Sequence, residues 1–174
     1  MDRTPWILRT FPLIEDDGIL PCVLERLVGT PARLYGKISR FDSMDLIVSN
    51  GPKSSIKTEV GHLIDLEPLW VEQIDQIVAA SPEITVADMT NKKANMGRRD
   101  IRRIYDLLFR FKLAREQTVL KFRSLEDEDL HKFSIHPGLK NPVRIIDLAY
   151  FIAEHDDHHL SQITRMMIQS GSCL

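Results

Sequence analysis

The chain has 174 residues, 43% of them apolar and 28% charged, the composition of an ordinary globular protein long enough to bury a core unaided by disulfides or metal. Its formal net charge of −2 leaves no electrostatic footprint for nucleic acid or an anionic membrane surface. One domain over residues 1–174 is expected, and the basic run Arg98, Arg99, Arg102 and Arg103, interrupted by Asp100 and Asp106, reads as a solvated helix start.

The opening Met1-Asp2-Arg3-Thr4-Pro5-Trp6 lacks the apolar run of a signal peptide. No stretch approaches the ~18 uncharged apolar residues of a membrane span. Cys22 and Cys173 lie near opposite ends and form no metal-spaced pair. A cytoplasmic location with reduced thiols is the expectation. Cys22 falls in an apolar helical pattern, where cysteine behaves as a small hydrophobe.

A first helical stretch runs from Gly18 to Phe41, carrying Ile19, Leu20, Val23, Leu24, Leu27, Val28, Leu34, Tyr35 and Ile38. Gly29-Thr30-Pro31 interrupts it. Thr30 can cap a restarted helix with Pro31 in its first position, so a kink or two pieces are expected. The polar stretch Ser49 to Ser55 reads as a loop ending in an N-cap serine. A second helix follows from Ser55 to Ala80, with Ile56, Leu63, Leu66, Trp70 and Ile77 on one stripe, and stops before Ser81-Pro82.

The loop from Pro82 to Gly97 is long enough to serve as a cover over a site. A third helix is expected from Arg98 to Phe122, with Ile101, Ile104, Leu107, Leu108, Phe111 and Leu120 as its apolar residues. The acidic run Glu126 to Asp129 and a His136-Pro137-Gly138 turn precede a fourth helix from Pro142 to Gln169, with Gly171 as its stop. Only Leu46-Ile47-Val48 and Ile84-Thr85-Val86 have a β flavour. The fold class is therefore all-α, a four-helix bundle.

The chemistry concentrates in Glu154-His155-Asp156-Asp157-His158-His159. At about 100° of rotation per residue, His155 and His159 fall at the edge of, and inside, the stripe formed by Leu148, Ile152, Leu160, Ile163 and Met166. His158 points away from that stripe. An i, i+4 histidine pair projects two rings from adjacent turns and suits a metal ion. A third ligand must then come from another helix. His62 is the remaining mid-helix histidine, on the margin of its own stripe, beside Gly61, which can permit close packing. His131 and His136 read as surface residues of the connection.

Two carboxylates also face apolar stripes, Glu59 and Asp156. A buried carboxylate is costly unless it is paired or bound to a cation. Glu59-x-x-His62 and Asp156-x-x-His159 repeat the acid-x-x-His spacing of di-metal carboxylate bundles. That arrangement needs further carboxylates from the other two helices, where Glu25, Asp106 and Glu116 are available but none is singled out. Orienting a histidine through its free ring nitrogen is the simpler role for Glu59 or Asp156, and His158 is a further candidate for it.

Three segments resemble the DinB/YfiT-like superfamily. They are Leu24-Glu25-Arg26-Leu27-x-Gly29-Thr30-Pro31-x-Arg33-Leu34, Ile56-Lys57-x-x-Val60-Gly61-His62-Leu63, and Glu154-His155-Asp156-x-His158-His159-x-x-Gln162-Ile163. The resemblance spans about residues 19 to 168, and the late histidine cluster is its specific part. It implies an up-down-down-up bundle in which three histidines hold one divalent ion, zinc or nickel, with water in an open position. The family's ligands would fall on His62, His155 and His159. Members include thiol-dependent S-transferases and isomerases, and the family's damage-inducible label implies no contact with DNA.

Three nitrogens and an open position are the arrangement of a catalytic ion rather than a structural one. The sequence thus predicts a metal-dependent enzyme acting on a small molecule, either as a hydrolase or as an S-transferase using a low-molecular-weight thiol. Arg102, Arg103 and Arg110 are the basic residues available to hold such a thiol. The rival reading is a non-catalytic bundle that uses its ion for stability or stress-related binding. A homodimer is compatible with such a bundle, although no patch in the sequence demands one.

Overall fold

A computed structural model of the chain describes residues 4, 6–39, 55–86 and 103–169. Two 3-10 turns, Trp6–Leu8 and Asp17–Ile19, lead into α1 (Leu20–Ile38). Then come α2 (Ile56–Val78), α3 (Ile104–Arg123), a helical turn Asp127–Leu130, strands β1 (Phe133–Ile135) and β2 (Pro142–Arg144), and α4 (Ile145–Gln169). No described helix is long and apolar enough to cross a membrane.

Side-chain pairs fix the helix directions. Arg26 of α1 bonds Glu154 and Asp157 of α4, and Lys37 bonds Thr164, so these helices run parallel. Glu67 meets Arg115 and Asp75 meets Lys121, so α2 and α3 are parallel too. Glu59 meets His159 while Trp70 meets Phe151, which makes α2 and α4 antiparallel. Tyr35 with Tyr105, and Glu25 with Arg123, make α1 and α3 antiparallel. The result is an up-down-down-up four-helix bundle, in which the α2–α4 and α1–α3 faces lie on opposite sides.

Each helix buries the stripe that its periodicity marks, with instructive departures. Ser55 caps α2 as expected, accepting the Thr58 N–H at 3.1 Å. α1 does not break at Pro31: it is one helix of 19 residues with the proline inside. Thr30 is no cap but a fully buried residue whose hydroxyl lies 2.7 Å from Asp156 Oδ2. A tertiary partner has overridden the local turn signal. α3 starts at Ile104, because Arg103 is extended (ψ 140°) and serves as its N-cap. Residues 98–102, the loop from 87, Leu46–Val48, Phe41, Gly171 and Cys173 lie outside the described residues.

The fourth helix begins three residues later than its sequence suggests, since Pro142–Arg144 pairs antiparallel with Phe133–Ile135. Pro142 has no N–H to give and sits at the hairpin end opposite Ile135. His136 builds the connecting turn, its Nδ1 accepting the N–H groups of Gly138 and Leu139. Asp147 then accepts the Arg144 N–H at 3.2 Å and starts α4. Of the second β-flavoured stretch, Ile84 donates to Ile135 and extends this ribbon by one bridge at Glu83.

Not every apolar residue at helical spacing faces inward. Val28, Tyr35 and Leu120 are exposed, as are Tyr105, Phe109 and Leu113, all on α1 or α3. Several line a groove of about 850 Å³ between those helices. Cys22 is exposed as well, against its apolar setting in the sequence. Phe111, by contrast, is fully buried. Phe111→Ala should lower the unfolding free energy by about 3–5 kcal/mol in urea titrations, whereas Leu120→Ala should change it by less than about 0.5 kcal/mol.

Candidate metal centre

α2 and α4 bring His62, His155 and His159 together, with one potential ligand atom from each lying within 4.8 Å of the others. His155 and His159 are buried and His62 is half-buried. The pair on α4 meets His62 because consecutive turns of that helix face α2, as the wheel predicts.

Glu59 determines which nitrogen of His159 is free. Its Oε2 lies 2.5 Å from His159 Nδ1, and a carboxylate can only accept, so Nδ1 carries the hydrogen. The lone pair of His159 is therefore on Nε2, which faces His155 Nε2 at 3.1 Å. Two ring nitrogens at that separation would be able to hold one shared ion between them. The donor set and its spacing fit a divalent cation.

His155 is the most enclosed of the three. Its ring is surrounded by Trp6 at 5.2 Å, Trp70 at 6.0 Å and Phe151 at 6.4 Å between centroids. Its Nδ1 is buried without a hydrogen-bond partner. Burial, and then the neighbouring charges of His159, His62, His158 and Arg115, hold it well below the ordinary histidine value. His155 is thus kept neutral, the form in which an imidazole binds a metal.

Of the three side chains expected to support the histidines, Glu59 is seen hydrogen-bonded to one of them, His159. Asp156 does not orient a histidine. It is fully buried and accepts from Arg115, with Nη1–Oδ2 at 2.5 Å and Nη2–Oδ1 at 2.9 Å. Its position 100° round the helix from His155 turns it toward the bundle axis rather than toward α2. His158 does lie off the core stripe, but it is not a surface residue. Trp6 and His159 contact its ring, at 5.1 and 5.2 Å, and half bury it.

The carboxylates considered for a second ion are elsewhere: Glu25, Asp106 and Glu116 are exposed, on α1 and α3. Arg110 is exposed on α3 and Arg103 at its N-cap, so neither is buried toward the histidines, and Arg102 is outside the described residues. His131 is exposed as expected.

Trp6 and Arg115 stand out among the contributors absent from the sequence reading. Trp6 reaches the site because its segment is tied to α4, where Ile14 N–H donates to Asp147 Oδ1 at 2.8 Å and Arg144 donates to the Ile14 carbonyl. No local pattern signals that packing. Arg115 is different: it occupies the buried stripe of α3 with Phe111, Thr118 and Phe122. A charged residue in an apolar stripe is a signal that the wheel offers.

The depressed His155 gives a signed expectation. The unfolded chain takes up a proton near the ordinary value of 6.5 while the folded chain does not. Stability present above that pH is therefore lost on acidification below it. In chelator-treated protein the urea midpoint should fall from about pH 7 to about pH 5, and His155→Phe should flatten the change. A midpoint that stays level or rises in the unsubstituted chain would contradict the assignment.

Comparisons with known proteins agree with this architecture. The structure is similar to that of YfiT from Bacillus subtilis, a probable metal-dependent hydrolase with an unusual four-helix bundle topology. The TM-score is 0.79, over 95% of this chain and 96% of that one, at 15% sequence identity. No curated protein matches the sequence. The family profile of the DinB superfamily matches residues 23–163. With bundle, helix order and profile in agreement, the chain belongs to the DinB superfamily.

Proposed function

We propose that the chain is a metal-dependent enzyme whose His62, His155 and His159 hold one divalent ion, zinc or nickel, and whose substrate is a small molecule. The observation that carries this reading is the Glu59–His159 pair at 2.5 Å, which leaves the His159 Nε2 lone pair facing His155 Nε2 within the group that His62 completes. A carboxylate behind a histidine is how proteins fix the tautomer of a metal ligand and raise its basicity.

Among the described residues the group has three members, the ligand number of a catalytic site with an open position. These three residues would hold the ion, and it would supply Lewis-acid polarisation of a water or thiol. The chain's own residues do the rest. Glu59 holds the His159 tautomer, while Trp6, Trp70 and Phe151 exclude water from the His155 side. His62 is half-buried, the least enclosed of the three.

The reaction class is hydrolysis, or transfer of a low-molecular-weight thiol to an electrophile. Hydrolysis gains support from the description of YfiT, and thiol transfer from the resemblance to thiol-dependent family members. Among the described residues, Arg103 and Arg110 are exposed and do not gather at the histidines, and water is the simpler nucleophile. A panel of activated esters and amides, assayed with and without added thiols, separates the two. Turnover that appears only with thiol would identify a transferase.

His159→Ala should abolish stoichiometric zinc and nickel binding in elemental analysis and leave the far-ultraviolet circular dichroism unchanged. One tightly bound ion per chain in that variant would refute the ligand assignment. Glu59→Gln should weaken binding by about 10–100-fold. A catalytic ion should also be removable by chelator with the melting transition nearly intact. Collapse of the fold on removal, without turnover under any condition, would favour the non-catalytic bundle instead.

A further inference from the structure

The centre of the bundle holds a charged bridge that the histidines do not account for. Arg115 of α3 is 1% exposed, Glu67 of α2 2% and Asp156 of α4 0%. The guanidinium gives Glu67 Oε1 two bonds, from Nε at 2.9 Å and Nη2 at 2.6 Å. It gives Asp156 two more, at 2.5 and 2.9 Å. Four of the five N–H groups of an arginine are thereby used. The outer oxygens are held as well: Thr118 donates to Glu67 Oε2 at 2.5 Å, and the Thr30 hydroxyl lies 2.7 Å from Asp156 Oδ2.

Stability alone is a poor account of this arrangement, because well-packed apolar residues serve a core as well or better than a buried ion pair. What the bridge does supply is a fixed distance. It clamps the two antiparallel helices that carry the histidines, and it does so at their level. Glu67 lies between Glu59, which meets His159, and Trp70, which meets His155, while Asp156 lies between His155 and His159 in sequence. Glu67 Oε1 takes two bonds and Asp156 Oδ2 has Thr30 as a second partner, so each carboxylate is held from more than one direction and resists a change in helix spacing. Ligand geometry must hold within about 0.5 Å for a working site.

We propose that Arg115 is a positioning residue of the metal centre: by bridging Glu67 and Asp156, it sets the α2–α4 separation at which His62 meets His155 and His159. The inference rests on the reading of those histidines as metal ligands. It requires the planar fork, not merely the positive charge, so lysine cannot replace arginine here.

The test is cobalt(II) and zinc titration of the full chain and of Arg115→Lys, below the melting temperature of both, with circular dichroism to verify the fold. Arg115→Lys should bind zinc at least about 10-fold more weakly, with altered intensity in the cobalt d–d bands. Affinity within twofold and an unchanged spectrum would overturn the proposal, even if the melting temperature falls, since that is the signature of a purely structural bridge. If Arg115→Lys does not fold, the uncharged replacement Glu67→Gln/Arg115→Met/Asp156→Asn takes its place. Loss of affinity there supports the proposal, and retention of wild-type binding overturns it. Failure of the unsubstituted chain to bind cobalt at all would overturn the metal centre itself, and this inference with it.

Discussion

The bundle is organised around one guanidinium. Arg115 meets Glu67 and Asp156 in the interior, and Thr118 and Thr30 complete the layer, so all four helices contribute to a single hydrogen-bonded cross-section. Burial alone would lower the Arg115 pKa, and the charges of Asp156 and Glu67 outweigh it and raise it. Burial raises the Glu67 carboxyl above its ordinary range, against the pull of Arg115 and Thr118. Three ionisable groups are thus removed from water together. Loss of any one leaves the others without compensation, which penalises alternative helix registers.

The two sides of that layer differ in character. Toward α2 and α4 lie the histidines, enclosed on the His155 side by Trp6, Trp70 and Phe151. Toward α1 and α3 lies a groove flanked by exposed apolar and aromatic side chains, among them Tyr35 and Tyr105 with ring centroids 6.2 Å apart. The up-down-down-up order produces this division. It makes α2 and α4 neighbours although α3 and the β1–β2 hairpin separate them in sequence, so the three histidines of one cluster come from distant parts of the chain.

The segment before α1 belongs functionally to α4. Arg144 and Asp147 hold Ile14 at the start of that helix, and Arg144 also reaches Asp17 at 3.4 Å. From this anchor the chain runs back to place the Trp6 ring against His155 and His158. A residue six positions from the start thereby contributes to the same enclosure as Trp70 and Phe151. This enclosure is why His155 is both neutral and dry, while His62 retains contact with solvent.

Much of this was legible in the amino-acid order, and the boundary of legibility has a physical basis. Helical periodicity marked the four helices and most of their buried stripes, because the apolar face of a helix repeats with the backbone itself. The i, i+4 spacing of His155 and His159 is likewise a backbone property, and so is the Ser55 cap. What periodicity could not supply was the partner of each inward-facing polar group. Asp156 and Glu59 look alike in sequence, as carboxylates on apolar stripes, yet one meets an arginine and the other a histidine. Thr30-Pro31 looks like a helix start but lies mid-helix, because its hydroxyl faces Asp156. Leu120 has core spacing on a helix whose outer side is itself apolar. By itself the sequence determined most of the residues that face inward and singled out three histidines as the candidates for one cluster. The choice among partners depended on helix order and direction, since contacts between residues some 40 to 130 positions apart exist only once the bundle has closed.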